Sequence, residues 1–377
     1  MKLQGNIVAA DRMGYGKIEW AERKIARIEL REDIQPDEPW ILPGFVELHL
    51  HGIGPHNVEE GEPGVRGMAA FAATRGTTRM APAYSCAPHA EMLEWTATVR
   101  KLVEDPPEGA RIVGSHLEGP WLSVRFGGGM KPDQIRLPDL AQAQEFLDAA
   151  QGTLKLMTIA PELPGSLPVI KLLRSHGVTV SLGHSDCPPD FFSTAVQAGV
   201  SQVCHLFDAY DVPESRRGVR QPAVTDLALI DDRVMKEIIM DGLHVPPELV
   251  ALARRAAGAD HIIAITDSLQ GAGLPQGRFF DAGRPYVVRE GELARLEEDG
   301  SIIGSSLTMN RAFFNMTARF GFTPVEAARC LSANPAKQLG LAGVTGELRE
   351  GLAADVAVLE PDRLTVRNTY LEGRQIF

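Results

Sequence analysis

Short apolar runs alternate along most of the chain with longer segments rich in Ala and Leu. The runs lie within WILPGFVELHLHG, ARIVGSHLEGP, LKLMTIAPE, VTVSLGHS, SQVCHLFDA, MKEIIMDGLHV and HIIAITDS. Between them, segments such as DLAQAQEFLDAA and PPELVALARRAAG have helical length. Strands buried on both faces read as continuous apolar runs, and the intervening helices supply the crossovers of a parallel sheet. About eight such units over about 300 residues predict a (β/α)8 TIM barrel, an α/β fold. The two ends follow a different rhythm. Apolar positions around Ile18, Trp20, Ile25, Ile28 and Leu30 mark short strands, and GELREGLAADVAVLEPDRLTVRNTYLEGRQIF returns to short strands with Gly turns. Joined, the ends predict one small sheet domain of residues 1–43 and 344–377 beside a barrel of residues 44–343.

Composition narrows the function. Hydrophobic residues make up 44% and charged residues 23% of 377 positions, as in an ordinary soluble globular protein. The net charge of -11, with no run of Lys and Arg, argues against nucleic acid or an anionic membrane as partner. No segment is apolar for long enough to span a bilayer or serve as a signal peptide, so a cytoplasmic location is expected. Cys86, Cys187, Cys204 and Cys330 are scattered, without the spacing of a disulfide framework or a thiolate zinc site.

The informative polar residues stand at the C-terminal ends of the apolar runs, which form a single rim in a TIM barrel. His49 and His51 are two apart on a strand, so both imidazoles face one side and suit a divalent metal. Glu118 ends its run before Gly119-Pro120 and has two oxygens with which to bridge two ions; alone, it would more often pair with an Arg. His116, on the same side, reads as a packed neighbour. His184 and His205 follow consecutive runs, which favours a shared site over two separate structural histidines. Asp267 ends a mostly apolar run, where an unpaired charge is costly and a metal offsets it. It also has the chemistry to move a proton from water to a leaving nitrogen; the bland alternative is a helix cap.

These motifs resemble the N-acetylglucosamine-6-phosphate deacetylases, an amidohydrolase family. The likeness runs through PGFVELHLHG, HLEGPWL, TIAPE, GHSD, HLFDA, DGLHV, ITDSLQGAGLP, GSSLTM, NPAKQLGL and GELREGLAADVAVL. It implies a barrel with a small β-sandwich built from both termini, and a homodimer. It implies a main metal on Glu118, His184 and His205, and a second on His49 and His51 with Glu118 bridging. One or two divalent ions per subunit follow, with zinc ahead of iron, manganese or cobalt; the His49/His51 pair favours two. Asp267 matches the catalytic Asp at the metal, and His244 matches a histidine that contacts the substrate and polarises its acyl carbonyl. Gly129, Asp208, Ala209, Arg220 and Leu307 match substrate-binding positions.

Departures from the family pattern fall on the substrate side. Met130 stands in GGGMKP where a histidine is usual, and HLFDAY replaces HLFNAM, so Asp208 and Tyr210 replace Asn and Met. Asp beside a phosphate is repulsive: two unit charges at about 4 Å interact by roughly 4 kcal/mol at an effective dielectric near 20. Arg216, Arg217 and Arg220 lie in a slightly lengthened segment. The resemblance implies that Arg220 contacts phosphate in the neighbouring subunit's site; neutralising Asp208 and simple solvation are alternatives. Deacetylation of N-acetylglucosamine 6-phosphate is the expected reaction, with another N-acyl amino sugar, phosphorylated or not, as the alternative. A hydantoinase-like enzyme would need a carboxylated Lys at the fourth strand's end, yet Lys155 comes early in that run. A non-catalytic sugar-binding protein would be expected to have lost a metal donor or Asp267, and none is lost.

Overall fold

Every apolar run that carries a candidate residue forms a barrel strand in the computed structural model, which describes residues 1–31, 33–289 and 291–377. With the run LKLMTIAPE, which carries none, seven barrel strands follow in order: Phe45–Glu47, Ser115–Glu118, Leu154–Ile159, Thr179–Leu182, Val200–Val203, Met235–Ile239 and Ile262–Ile265. Strand Thr77–Met80 completes the eight and pairs in parallel with Phe45–Glu47. It escapes an apolar scan because Thr77, Thr78 and Arg79 interrupt it. The ring closes beyond the last strand, where Asp267 N donates to His49 O at 2.9 Å and His51 N donates to Ser268 O at 2.8 Å.

A helix follows each strand, as the alternation predicts. Leu140–Ala150 starts at Asp139, whose side chain accepts from Gln142 N at 2.9 Å and satisfies one of the free amides of the first turn. Pro247–Ala257 carries Pro at its first position and ends at Gly258, whose φ of 72° suits a residue without Cβ. Both bury one face, Ala143, Phe146 and Leu147 in the first and Val250 and Ala253 in the second, against the barrel.

The chain ends meet in one seven-stranded sheet, in the order Arg374–Gln375, Val366–Leu371, Val356–Leu359, Trp40–Pro43, Lys2–Val8, Met13–Ala21 and Lys24–Leu30. Its own apolar core includes Ile7, Ile18, Trp20, Ile41, Val356 and Tyr370, so the terminal sandwich is a second packed layer system beside the barrel. A further sheet, not foreseen from the pattern, lies between the last barrel strand and helix Met309–Ala318. Its strands are Gly277–Asp281, Arg284–Val288 and Arg295–Leu296, around Leu269, Tyr286 and Val288. Among the described residues no helix is long and apolar enough to cross a membrane.

Arg79 fastens the terminal sheet to the barrel. Its Nε donates to Asp355 at 2.7 Å and Nη2 to Glu372 at 3.2 Å; Asp355 also accepts from Thr345 Oγ1 at 2.6 Å and Glu372 N at 2.7 Å. Removing one partner of such a buried pair leaves the other charge uncompensated. Asp355→Ala is therefore expected to lower stability by about 3–5 kcal/mol in chemical denaturation, and a change below about 1 kcal/mol would contradict this role.

Candidate metal centre and active site

Glu118 lies at the middle of the barrel mouth, 3% exposed, with an imidazole on every side. Its Oε1 is 3.2 Å from Nε2 of both His184 and His205 and 3.3 Å from His49 Nε2; its Oε2 is 3.3 Å from His51 Nε2. Asp267 Oδ1 stands 3.2 Å from His51 Nε2 and 3.5 Å from His49 Nε2. Among the described residues three donor triads result: His49/His51/Asp267 and Glu118/His184/His205, built from imidazoles and carboxylates, and His49/Glu118/Cys204, which adds a buried thiol, each with its ligand atoms within 4.8 Å of one another.

All four histidines turn the same nitrogen inward, and each outer Nδ1 has its own anchor. His49 Nδ1 meets Glu237 at 3.0 Å, His51 Nδ1 meets Ser85 Oγ at 3.3 Å, His184 Nδ1 meets Phe126 O at 2.7 Å and His205 Nδ1 meets Asp208 O at 3.1 Å. An acceptor at Nδ1 keeps the proton there and leaves the Nε2 lone pair facing the centre, the arrangement that serves metal-binding histidines. His49 Nε2 is buried without a hydrogen-bond partner, a cost that a cation at this point removes.

The electrostatics agree. Burial pushes the Glu118 carboxyl up, but His49, His184 and His205 hold it well below the usual range. Burial likewise opposes ionisation of Asp267, and His49 and His51 overcome it. Burial works against charge on His51, yet Asp267 and Glu118 push it up to about 9. The two carboxylates thus create a negative field at the shared Nε2 positions, and a divalent cation competes with protons for those same lone pairs. The donor set of imidazoles and carboxylates fits zinc, iron, manganese or cobalt. The site offers donors for one or two divalent ions.

Backbone strain is concentrated here. His184, His205 and Asp267 have φ of 48°, 20° and 47°, in the left-handed region that costs non-glycine residues about 1–3 kcal/mol each. The fold sustains the strain through neighbouring bonds. Glu162 of the TIAPE segment accepts from Ser185 Oγ at 2.7 Å and Asp186 N at 2.6 Å, bracing the turn after His184. The Tyr210 hydroxyl reaches Leu182 O at 2.8 Å and Cys204 O at 2.5 Å, stapling together the ends of the two strands that precede His184 and His205. Tyr210 therefore braces the centre from behind.

Other sequence candidates divide into two groups. Gly129, Asp208 and Ala209 line a cleft that opens on His51, Glu118, His184, His205 and Asp267. Gly129 has no room for a side chain, since a Cβ would come 2.2 Å from Ile303 Cγ2. Met130 also lines this cleft. Leu307, His244 and Arg220 do not line it. Leu307 is 4% exposed, with its N donating to Ser305 Oγ at 3.0 Å. His244 Nδ1 is 2.7 Å from Asp241, and its Nε2 is buried without a partner. Burial opposes its protonation, but Asp241, Asp208 and Asp267 raise its pKa. Arg220 lies on an exposed hairpin, Ser215–Arg216 against Val219–Arg220, and donates to Asp226 at 2.8 Å, so in this chain it does not neutralise Asp208. His116 is fully buried, with its nitrogens at Leu48 O and Thr158 Oγ1, and burial holds it well below the usual histidine range; it packs and does not ligate.

A model of the amidohydrolase family matches residues 40–376. The chain belongs to that family. It is 30% identical over 339 residues to the N-acetylgalactosamine-6-phosphate deacetylase of Escherichia coli O157:H7, covering 90% of this chain and 88% of the relative. Identity to the N-acetylglucosamine-6-phosphate deacetylase of Bacillus subtilis (strain 168) is 30% over 352 residues, covering 92% and 87%. The crystal structure of the N-acetyl-D-glucosamine-6-phosphate deacetylase from Mycobacterium smegmatis superposes with a TM-score of 0.91 at 29% identity, covering 100% of both chains. Within the amidohydrolases this protein closely matches the N-acetylglucosamine-6-phosphate deacetylase group, and it is a metal-dependent amidohydrolase.

Sequence reasoning passed over Glu237, which reads as an interruption of MKEIIM. The residue is fully buried, holds His49 Nδ1 and also contacts Gln202 Nε2. The available signal was an acid in the middle of an apolar strand, which needs a partner. Glu237→Gln is expected to weaken metal retention at the His49/His51 side by about 10–100-fold while Glu118, His184 and His205 keep theirs. Metal content after graded chelation tests this, and an unchanged titration would remove Glu237 from the centre.

Proposed function

We propose that the chain hydrolyses the N-acetyl amide of N-acetylglucosamine 6-phosphate, giving glucosamine 6-phosphate and acetate. The observation that carries the reading is the convergence of two metal-donor triads around one buried carboxylate, in a cleft that also contains Gly129, Asp208 and Ala209. The names of the relatives supply the substrate; N-acetylgalactosamine 6-phosphate, named for the Escherichia coli relative, is the nearest variant.

In this proposal Glu118, His184 and His205 would hold the main ion, and His49 and His51, together with Glu118, would hold the second. When bound, such ions polarise a carbonyl oxygen and make water a competent nucleophile near neutral pH. Asp267, beside His51 at 3.2 Å, would accept the proton of the water that attacks the acyl carbon and pass it to the amine nitrogen as the C–N bond breaks. His244, oriented by Asp241 and set just behind the cleft lining with its Nε2 unpartnered, would donate from Nε2 to the acyl oxygen as negative charge develops there. Gly129 and Ala209, which line the cleft, hold the sugar. Cytoplasmic location and a homodimer belong to the same proposal. The hairpin carrying Arg220 supports the second, with Val212 and Val219 77% and 62% exposed and available for burial against a second copy.

One observation favours a second substrate. Asp208 lines the cleft, and among the described residues its carboxylate has no ion-pair partner, so it disfavours a phosphate nearby and suits sugar hydroxyls. Free-amine release from N-acetylglucosamine 6-phosphate and from N-acetylglucosamine, compared with protein of known metal content, decides between them. Preference for the phosphate supports the first reading; failure on it by the metallated protein transfers the assignment to another N-acyl amino sugar.

Asp267→Asn is expected to lower kcat on the order of 1000-fold with the ion at Glu118, His184 and His205 retained. Near-normal turnover would exclude Asp267 from proton transfer. Asp208→Asn is expected to raise the preference for the 6-phosphate by about 10-fold or more, through loss of like-charge repulsion. A preference unchanged or reduced would sink the repulsion argument.

A further inference from the structure

Three arginines line the cleft beside the metal donors: Arg125, Arg284 and Arg295. Two are already matched with carboxylates. Arg125 contacts Asp186 at 2.7 Å and Asp211 at 2.8 Å, and Arg284 pairs with Asp281 and lies 3.8 Å from Glu298. Arg295 differs. Its Nη1 donates to Gly300 O at 2.9 Å, and it has no carboxylate partner among the described residues. A guanidinium carries five N–H donors, so that single bond orients the group and leaves four N–H groups for another acceptor.

The backbone under Arg295 is well fixed. Strand Arg295–Leu296 pairs with Tyr286 and Val287, and Arg295 bridges to Ile302. The chain then returns to the centre through Gly304 and Ser305, where Ser305 N donates to Asp267 O at 2.8 Å and Leu269 N donates to Ser305 O at 3.0 Å. Arg295 is thereby joined, through a short hydrogen-bonded path, to the residue that carries the proton chemistry. Arg220 stands outside its own chain's cleft on an exposed hairpin, with its guanidinium engaged by Asp226, so any phosphate contact it makes is in the neighbouring subunit's site. Asp208 lies in the cleft itself, so an anionic substrate entering there needs a cation from the same walls to offset it.

We propose that Arg295 binds the phosphate of the substrate, supplied by the same chain that supplies the metal donors. The inference rests on the deacetylase reading for its substrate and names the group that selects it. A planar guanidinium with two adjacent N–H edges matches phosphate oxygens in a way that an ammonium does not.

The test uses metal-loaded, full-length protein and two readouts. The first is kcat and KM for N-acetylglucosamine 6-phosphate and N-acetylglucosamine with wild type, Arg295→Gln, Arg295→Lys and Arg220→Gln. Arg295→Gln is expected to raise KM for the phosphorylated sugar by about 30-fold or more, with a much smaller change in kcat. The ratio of kcat/KM for phosphorylated over unphosphorylated sugar falls with it, and Arg295→Lys restores part of that ratio. An unchanged ratio overturns the inference, whether both substrates hold their rates or decline together as in a structural defect. So does a loss of the ratio in Arg220→Gln that Arg295→Gln does not share.

The second readout is calorimetric binding of glucosamine 6-phosphate, which needs no turnover. Binding that weakens in Arg295→Gln supports the inference even where no N-acetyl sugar is hydrolysed, in which case only the deacetylase reading falls. Hydrolysis of the phosphorylated sugar with binding and KM indifferent to Arg295→Gln leaves the reaction standing and overturns the phosphate role. Wild type that does not bind the sugar phosphate at all also overturns it.

Discussion

Four imidazole nitrogens meet Glu118 within 3.3 Å, in a pocket from which solvent is nearly excluded. A buried carboxylate is expensive unless its charge is met, and here it is met by groups that are themselves metal ligands. The rest of the mouth can be understood as support for that convergence. Glu237, Ser85 and the carbonyls of Phe126 and Asp208 point the histidines inward, and Glu162 and Tyr210 secure the turns on which His184 and His205 sit. Asp267 adds the second carboxylate, close enough to share His51 with Glu118.

The same residues close the barrel. The backbone bonds between His49, His51, Asp267 and Ser268 are the seam between the first and last strands. Ligand geometry is therefore coupled to the closure of the fold, and the left-handed φ values at His184, His205 and Asp267 are maintained by a ring that has little freedom to relax. This coupling also explains why the active-site residues come from strands far apart in the chain. Only a closed ring brings position 49 next to position 267.

Selectivity has a different physical origin. The inserted sheet of strands Gly277–Asp281, Arg284–Val288 and Arg295–Leu296 has a small core of its own, and its Asp281, Arg284 and Arg295 line the cleft together with Gly129, Asp208 and Ala209. It adds charged side chains at the rim without disturbing the barrel beneath. Residues on such an insertion can vary while the metal donors stay fixed, because the donors are on barrel strand ends and the insertion contributes none of them.

The alternation of apolar runs and helical segments was sufficient to determine the barrel, and the placing of His49, His51, Glu118, His184, His205 and Asp267 at the ends of those runs was sufficient to locate a metal site. Strand and helix are local consequences of burial pattern, and a TIM barrel sends the C-terminal ends of all its strands to one rim. Only the resemblance to the family's HLFNAM motif marked the acid at Asp208 as unusual, and local pattern concealed strand Thr77–Met80, since Arg79 is buried only because Asp355 and Glu372 come back from the other end of the chain. The tertiary structure alone decided which nitrogen of each histidine turns inward, that Glu237 holds His49, that Tyr210 braces the centre from behind, and that Arg295 reaches the cleft while Arg220 does not. Each of these depends on a contact between residues distant in sequence or on the direction a side chain takes from its backbone, and neither is encoded in the spacing of residues along the chain.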